Sequence, residues 1–419
     1  MKYRNDRRYI LDCTLAGAGL VVGISFILSY FFCAKIIDLA LFFGCIVILL
    51  CILIWLLENH AFKFGLKRAW QGSQLVRAIE DQLIDAKIFV ERYRTENGVI
   101  GVDLPRIVVD WQDEPIIKIA NSIKFHQKFS DLDFSAGVLN YTVEDSYFSI
   151  DENWLILELH DFTRSRRLVF DDFNDFKSEI KKVPKNQLLI DQNLTIKNQH
   201  CLIVGRTGSG KSYFLETLIA EWLIHGVDLS IADPKNADLS VISEKINGKS
   251  ATTFDQITKL ISDFYDEMKR RMVQVREKLQ DDPNKTAFDF GMAEKVLIID
   301  EFGAFSAQLQ RQKKTERDKI MGQLQEIIFM GRQLGCYLIL ILQKTDATTI
   351  PTSIRDNMGF RIVLGQNDAT TYQTTFGTSS DIPKIKMKPG NGWYTVDGGT
   401  LSPRLAETPT INFNLERIF

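Results

Sequence analysis

One stretch of the chain, residues 200–224, joins an apolar run to a glycine-rich turn and then to a helical pattern, and it constrains the fold more than any other segment. The run from His200 to Ser212 reads H-C-L-I-V-G-R-T-G-S-G-K-S, and residues 214–224 have a helical pattern. Glycines let the backbone bend so that successive N–H groups point at one phosphate, and the helix N-terminus adds its dipole. The pattern predicts a phosphate-binding loop (P-loop) between a strand and a helix of a parallel α/β sheet.

The side chains of this loop predict ATP and Mg²⁺ as cofactors. Lys211 supplies a mobile positive charge for the β- and γ-phosphates, and Ser212 offers a hydroxyl to the metal. The residues that we expect to contact the nucleotide are Gly205, Arg206, Thr207, Gly208, Ser209, Gly210, Lys211, Ser212 and Tyr213.

Two further apolar runs end in polar side chains. Residues 296–299 precede Asp300 and Glu301, and residues 338–342 precede Gln343. Two acids after an apolar run often mark only a strand that leaves the core. Downstream of a P-loop, however, they are typical of a Mg²⁺ ligand, here Asp300, and of a group that orients and deprotonates water, here Glu301. Gln343 is expected to sense the γ-phosphate. The alternative interpretation is that Gln343 is simply a polar residue at the end of a strand, with no role in the reaction.

Two uncharged runs near the start of the chain, residues 13–34 and 39–57, predict a transmembrane helical hairpin at 11–57. A cleaved signal peptide is the alternative for the first run, but the run is too long and a second one follows directly. Glycines 17, 19 and 23 offer a close contact between the two helices. Because both flanks are basic, we expect the N-terminus (1–10), the C-terminus and the body of the chain to be cytoplasmic at the plasma membrane.

The remainder of the 419 residues divides by pattern into three parts. Residues 58–100 read as a helical linker with its helix at 74–94, residues 101–185 as a small β-rich domain, and residues 186–419 as an α/β motor. The strands expected in the β-rich domain are 107–109, 116–119, 147–150, 154–159 and 168–170, with a hairpin turn at 151–153. The formal net charge of −2 excludes a uniformly basic protein, so any contact with nucleic acid must come from local clusters. The six cysteines lack the spacing of metal ligands, and we interpret them as reduced and packed.

Residues 187–364 resemble the RecA-like motor of the FtsK/SpoIIIE (HerA-FtsK) DNA translocases. The matching positions, in chain order, are His200, the P-loop, Asp233-Pro234-Lys235, Leu239-Ser240, residues 267–271, residues 299–302, residues 331–335, Gln343, residues 354–357 and Arg361-Ile362. Division proteins of this family carry more membrane spans and a C-terminal winged helix. The two spans and the small intervening domain are more similar to TcpA-type coupling proteins of conjugative elements in Gram-positive bacteria.

This resemblance implies a hexameric ring and several further roles. Arg332 takes the place of an arginine finger that reaches the γ-phosphate of a neighbouring subunit. Two segments that face the pore in the family map to residues 276–288, with Lys278 and Lys285, and to residues 344–357, with Lys344, Thr348, Thr349 and Arg355. DNA held through its phosphates, a relaxase and a conjugation channel are the implied partners.

Three other functions remain open on the sequence. One is a chromosome translocase for division or sporulation, and another is a protein-secretion ATPase of type VII ancestry, although those carry several ATPase modules. A kinase or metabolic P-loop enzyme is the third, and it leaves the apolar hairpin unexplained.

Overall fold

The computed structural model describes residues 2–31, 35–94, 99–129, 138–235, 239, 249–279, 285–345, 349–377, 382, 385–400 and 402–413. Ser240 and Thr348, which the family resemblance singles out, lie outside these residues. The chain forms two compact units, Met1–Arg164 and Ser165–Phe419.

The first unit begins with a short strand, continues with helices, and ends with short strands that pair mostly antiparallel. Its elements are β1 (Lys2–Asn5), α1 (Asp6–Phe31), α2 (Lys35–Glu58), α3 (Ala61–Phe64), α4 (Leu66–Asp85), β2 (Val90–Arg94), β3 (Val99–Asp103), β4 (Ile107–Trp111), β5 (Pro115–Ala120), α5 (His126–Phe129), β6 (Tyr141–Phe148) and β7 (Trp154–Asp161). One sheet has the strand order β4-β5-β7-β6 and a smaller one the order β1-β3-β2.

The core of this unit lies between α4 and the four-stranded sheet. Leu75, Ile79 and Leu83 of α4 are buried in one cluster with Ile117 of β5 and Leu157 of β7. Alternate residues of β5 are buried, as expected for a strand with one face on the core. The turn between β6 and β7 falls at the expected residues 151–153, and Glu152 has a left-handed φ of 55° there.

The prediction of a helix at 74–94 is wrong at both ends. Helix α4 begins at Leu66 and ends at Asp85, and Lys87 then turns the chain with a φ of 60°. Residues 90–94 form β2, which pairs antiparallel with β3. Tertiary pairing, which the local helical pattern does not report, therefore overrides that pattern in residues 86–94.

The helices α1 and α2 contact each other, but not through the glycines expected from the sequence. A Cβ atom on Gly17, Gly19 or Gly23 would meet no atom within 4 Å, whereas one on Gly44 would lie 2.6 Å from Cγ2 of Val22. Among the described residues, no helix combines the length and the apolarity that crossing a membrane requires.

The second unit is an α/β domain. Its elements are β8 (Val169–Phe170), α6 (Phe173–Ile180), β9 (Gln187–Leu189), β10 (Thr195–Lys197), β11 (Cys201–Gly205), α7 (Lys211–His225), β12 (Asp228–Ala232), β13 (Lys249–Ala251), α8 (Phe254–Leu279), β14 (Lys295–Ile299), α9 (Phe302–Gln310), α10 (Lys314–Leu334), β15 (Cys336–Leu342), α11 (Thr352–Arg355), β16 (Phe360–Leu364), α12 (Ala369–Phe376), β17 (Asn391–Val396), β18 (Arg404–Glu407) and β19 (Thr410–Ile411).

The main sheet of this unit has the order β13-β12-β14-β15-β11-β16-β17-β18. The first six strands are parallel, β17 runs antiparallel to them, and β18 pairs antiparallel with β17. Strands β11 and β15 are buried at every residue, because two apolar clusters cover opposite faces of the sheet. The expected α/β P-loop fold is thus confirmed.

The structure divides the chain about twenty residues before the expected boundary at 185/186. Phe170, Phe176 and Ile180 are buried in one cluster with Ala220 of α7. Strand β8 also pairs with β19 near the end of the chain. Residues 165–185 therefore belong to the α/β unit, because their apolar side chains complete its core.

Candidate nucleotide site

The glycine-rich turn lies at the carboxyl edge of the sheet, directly after the central strand β11. In the register of that sheet, Val204 is opposite Leu342 and Gly205 is opposite Leu364, so the turn sits between the ends of β15 and β16. Gly208 and Gly210 have φ angles of 81° and 98°, which residues with a Cβ atom rarely adopt. The remaining residues predicted to bind nucleotide, Arg206, Thr207, Ser212 and Tyr213, are exposed around this turn.

Lys211 begins helix α7 and folds back over the turn. Its Nζ donates hydrogen bonds to the carbonyl oxygens of Gly205 and of Arg206, the second at 3.4 Å. Burial lowers the pKa of this ammonium, and the carboxylates of Glu301 and Asp300 oppose that shift. A mobile cation therefore lies where a phosphate would replace the loop carbonyls as its partner.

Asp300 and Glu301 follow β14 at the same edge. Burial, together with the neighbouring carboxylates of Glu301 and Asp233, raises the pKa of Asp300 to about 6. Such a crowded group of carboxylates favours a divalent cation, since a cation relieves both the desolvation and the repulsion. The residues present thus fit Mg²⁺, with Ser212 and Asp300 as the expected ligands.

Glu301 is held in a left-handed backbone conformation with φ 46° and ψ 48°, which is uncommon for a residue with a Cβ. Its Oε1 accepts hydrogen bonds from Nζ of Lys235 at 2.7 Å and from Nε2 of Gln343 at 2.8 Å. The structure therefore brings Gln343 together with Glu301, and the predicted role of Gln343 in sensing the γ-phosphate stays a prediction. Among the described residues, none donates to Oε2 of Glu301, and this oxygen remains open to a water molecule.

Lys235 has no role that the sequence alone predicts. It follows β12, which is the neighbour of β14 in the sheet, and its amide donates to the buried carboxylate of Asp233 at 3.0 Å. The sequence feature that could have indicated a role is Asp233-Pro234-Lys235, two charged residues around a proline after an apolar run. Only the strand order shows that these residues lie beside Glu301.

Arg332 lies at the opposite, amino edge of the sheet, in the last turn of α10. The seven residues of β15 separate it from the carboxyl edge by about 20 Å at the usual rise of a strand. Burial, together with the charge of Arg332, lowers the pKa of His200 at the start of β11 to about 4. Arg332 is exposed and, among the described residues, none forms an ion pair with it, so its guanidinium is accessible but remote from its own P-loop.

Two of the residues predicted to bind DNA, Lys344 and Arg355, contact α12 or the residue that caps it. Nζ of Lys344 pairs with Oδ2 of Asp368 at 3.2 Å, and Nη2 of Arg206 contacts the same oxygen at 3.3 Å. Hydrogen bonds from the amide and hydroxyl of Thr371 help to lower the pKa of Asp368 to about 2. Arg355 donates to the carbonyl of Thr374 at 3.1 Å, and Thr374 belongs to α12, the helix that Asp368 caps.

The other two predicted DNA-binding residues do not flank the nucleotide site. Lys278 is in the last turn of α8, which runs from the carboxyl edge back to the amino edge, and its Nζ lies 5.7 Å from the ring centre of Phe290. The segment that contains Lys285 continues to Ala287, whose amide donates to the carbonyl of Gln333 beside Arg332 at 2.9 Å. In the family that the sequence resembles, the segment that corresponds to residues 276–288 is a loop beside the nucleotide site. The described parts of this segment, residues 276–279 and 285–288, lie instead toward the amino edge, because helix α8 returns antiparallel to the strands.

Comparison with known proteins finds a family match within the α/β unit. Residues 174–373 match the FtsK/SpoIIIE family. The chain is 31% identical over 205 residues to the FtsK domain-containing protein YdcQ of Bacillus subtilis, covering 49% of this chain and 42% of YdcQ. It is 28% identical over 211 residues to the DNA translocase FtsK of Clostridium acetobutylicum, covering 46% of this chain and 26% of that protein. The chain thus spans less than half the length of these relatives.

A solved structure shares the fold over most of the chain. The pCW3 conjugation coupling protein TcpA, in its monomer form with ATPγS, superposes with a TM-score of 0.51 at 17% sequence identity. The superposition covers 81% of this chain and 94% of that one. Because only 17% of the aligned residues are identical, this similarity shows a shared fold and nothing further.

Proposed function

We propose that this chain, which belongs to the FtsK/SpoIIIE family through residues 174–373, is an ATPase that uses ATP hydrolysis to move DNA. The observation that carries the proposal is the convergence of Lys211, Asp300, Glu301 and Gln343 at one edge of the sheet. Relatives with the same domain are named DNA translocases, which supports DNA as the substrate.

The described contacts suggest how the residues divide the hydrolysis reaction. On nucleotide binding, Lys211 exchanges the carbonyls of Gly205 and Arg206 for the β- and γ-phosphate oxygens. Ser212 and Asp300 would hold Mg²⁺, which would supply positive charge to neutralise the phosphates. Glu301 uses its open Oε2 to orient the attacking water and to accept its proton, while Lys235 and Gln343 fix Oε1.

The position of Arg332 supports assembly into a ring. Its guanidinium lies across the sheet from its own P-loop, so it reaches a γ-phosphate only if a second subunit presents one at this edge. A closed head-to-tail ring supplies such a neighbour to every subunit. We therefore propose a homo-oligomeric ring, with six subunits as in the family, in which Arg332 completes the site of the next subunit.

DNA delivery in conjugation is the more specific role that we propose. The fold likeness to the conjugation coupling protein TcpA extends over nearly all of that chain, beyond the family domain, and supports this role. Lys344 and Arg355 are candidates for sequence-independent contacts to phosphates. A relaxase and the proteins of a conjugation channel are the partners that such a role requires.

Attachment to the plasma membrane is part of the proposal. It is supported by the uncharged sequence runs within 11–57 and by large apolar side chains that are exposed on α1 and α2, among them Leu20, Phe26, Phe43 and Leu49. A reporter fused after Phe419 should be active in the cytoplasm and not outside, because both flanks of the hairpin are basic. Activity only outside would overturn this topology.

The main test is ATP hydrolysis by the full chain, purified in detergent, with and without DNA. We expect DNA of unrelated sequences to stimulate hydrolysis equally, and Lys211→Ala to abolish it with either DNA. Hydrolysis that does not respond to DNA would contradict the DNA motor while leaving the ATPase intact. Mating and chromosome-segregation assays in cells without the gene then separate conjugation from a role in division.

A further inference from the structure

A segment outside the family domain lies directly against the P-loop. The amide of Gly390 donates to the carbonyl of Ser209 at 2.8 Å, and the carbonyl of Asn391 accepts from the amide of Gly365 at 2.7 Å. The matched family range ends at residue 373, before Gly390 and Asn391. The P-loop therefore has a structural neighbour that the family assignment does not account for.

The contact between the two backbones leaves no room for side chains. A Cβ atom on Gly210 would lie 2.5 Å from the nitrogen and 3.0 Å from the Cα of Gly390. A Cβ atom on Gly365 would lie 2.9 Å from Cβ of Ser209. Glycines on both sides thus allow residues 388–391 to press on the turn that carries Ser209 and Gly210.

Arg167, at the other end of the unit, holds this segment in place. Its Nη2 donates to the carbonyl of Pro389 at 2.8 Å and to Oδ1 of Asn391 at 2.5 Å. The carboxylate of Glu407 accepts from the backbone amide of Arg167 at 3.0 Å and from Nδ2 of Asn391 at 3.0 Å. We call Arg167, Asn391 and Glu407, together with residues 388–390, the brace.

We infer that the brace positions the P-loop for nucleotide, so that affinity for nucleoside di- and triphosphates depends on Arg167 and Gly390. A glycine-rich turn loses much conformational freedom when it orders around phosphate, and a turn that is already fixed at Ser209 loses less. Because the brace contacts the loop and not the reacting atoms, it should affect ground state and transition state equally. Its loss should then raise KM and the nucleotide Kd with little change in kcat. The inference rests on the nucleotide binding of the proposed function.

Two glycines with similar backbones provide a matched test. Gly390 has a φ of 81° and Gly398 a φ of 71°, so a Cβ atom strains both backbones alike. A Cβ on Gly390 would lie 2.6 Å from Nη1 of Arg167, whereas one on Gly398 would meet nothing within 4 Å. We therefore expect Gly390→Ala to raise the Kd of the full chain for a fluorescent ADP analogue with Mg²⁺ by about tenfold or more, and Gly398→Ala to change it by less than about twofold.

A second pair of variants keeps the test decisive if Gly390→Ala does not fold. Arg167→Ala should raise the Kd, Arg167→Lys should restore part of the affinity through one hydrogen bond, and Arg270→Ala, which removes an exposed ion pair with Glu267, should leave the Kd unchanged. Thermal melting without nucleotide reports any general loss of stability. Equal effects of Gly390→Ala and Gly398→Ala, or wild-type affinity in Arg167→Ala, would overturn the inference. Because no DNA is present, either result leaves the DNA motor standing, whereas a wild-type chain that binds no nucleotide would contradict both proposals.

Discussion

Mixed rings offer a quantitative test of the position of Arg332. Arg332→Ala leaves the P-loop of its own subunit intact, and Lys211→Ala leaves the arginine intact. Each variant alone should be inactive, because removing an arginine finger costs about 10³-fold in rate and removing the P-loop lysine is at least as harmful. The structure places the two residues at opposite edges of one sheet, and the proposed site therefore combines Lys211 of one subunit with Arg332 of the next.

The expected recovery follows from counting interfaces. In an equal mixture that assembles at random, a site is complete when its subunit carries Arg332→Ala and the contributing neighbour carries Lys211→Ala. This occurs at about one quarter of the interfaces, so about one quarter of the wild-type rate should return if sites act independently. Varying the mixing ratio should give a maximum at equal amounts.

A matched control distinguishes a site shared between subunits from one within a single subunit. Wild-type chain is mixed equally with the double variant Lys211→Ala/Arg332→Ala. If Arg332 acts on a neighbour, about one quarter of the sites are again complete and both mixtures have the same rate. If it acts within its own subunit, this control retains about one half of the wild-type rate, and the complementing mixture retains none.

The assay is steady-state phosphate release at fixed total protein, with differently tagged variants purified together to verify mixed rings. Recovery in the wild-type control without recovery in the complementing mixture would refute the trans role of Arg332. Arg361 at the start of β16 would then be the next candidate, although its guanidinium lies within 3.5 Å of Asp397 and of two carbonyls of α12.

Three further predictions test individual side chains. Glu301→Gln should bind ATP with near wild-type affinity and stall, because the amide keeps the shape but cannot accept the proton of water, and nucleotide-binding titrations beside phosphate release should show this separation. Asp368→Asn keeps a capping oxygen at α12 but frees Lys344, so DNA binding at low salt, measured by fluorescence anisotropy, should strengthen by no more than about fivefold, as exposed ion pairs contribute about 0–1 kcal/mol. Burial raises the pKa of Glu221 from 4.5 to about 8. Between these pH values the unfolded chain loses the proton and the folded chain keeps it, so the free energy of unfolding falls as pH rises. Glu221→Gln should remove that part of the pH dependence in thermal melts, and an unchanged pH profile would contradict the assignment.

The phosphate-binding part of the site was predictable because its signals are local. A P-loop needs a strand, a glycine turn and a helix in immediate succession, and residues 201–225 supply all three. Asp300, Glu301 and Gln343 were recognisable because parallel strands place their carboxyl ends at one edge. The sequence therefore indicated which residues share one edge of the sheet wherever they lie within a few positions of a strand end.

Features that depend on strand order or on distant pairing were missed. The pairing of Lys235 with Glu301 follows from the adjacency of β12 and β14, which local patterns do not report. The misplacement of residues 276–288 has the same origin, since the direction of α8 decides which edge its end reaches. Arg167 meets Asn391 across 224 positions of the chain, and no periodicity predicts such a contact.

The carboxyl edge also connects the chemistry to the residues that we propose contact DNA. Gln343 donates to Glu301, and the adjacent Lys344 pairs with Asp368, whose Oδ2 is shared with Arg206 of the P-loop. We expect a nucleotide that engages Arg206 to weaken its hold on Asp368, and a change at the γ-phosphate to alter the hydrogen bond between Glu301 and Gln343. Both changes would act on the two-residue segment that carries Lys344, and we therefore propose that the state of the nucleotide exchanges this side chain between Asp368 and a DNA phosphate. The coupling therefore requires only the rearrangement of exposed ion pairs, each worth about 1 kcal/mol or less, and this is small enough to reverse in every cycle of hydrolysis.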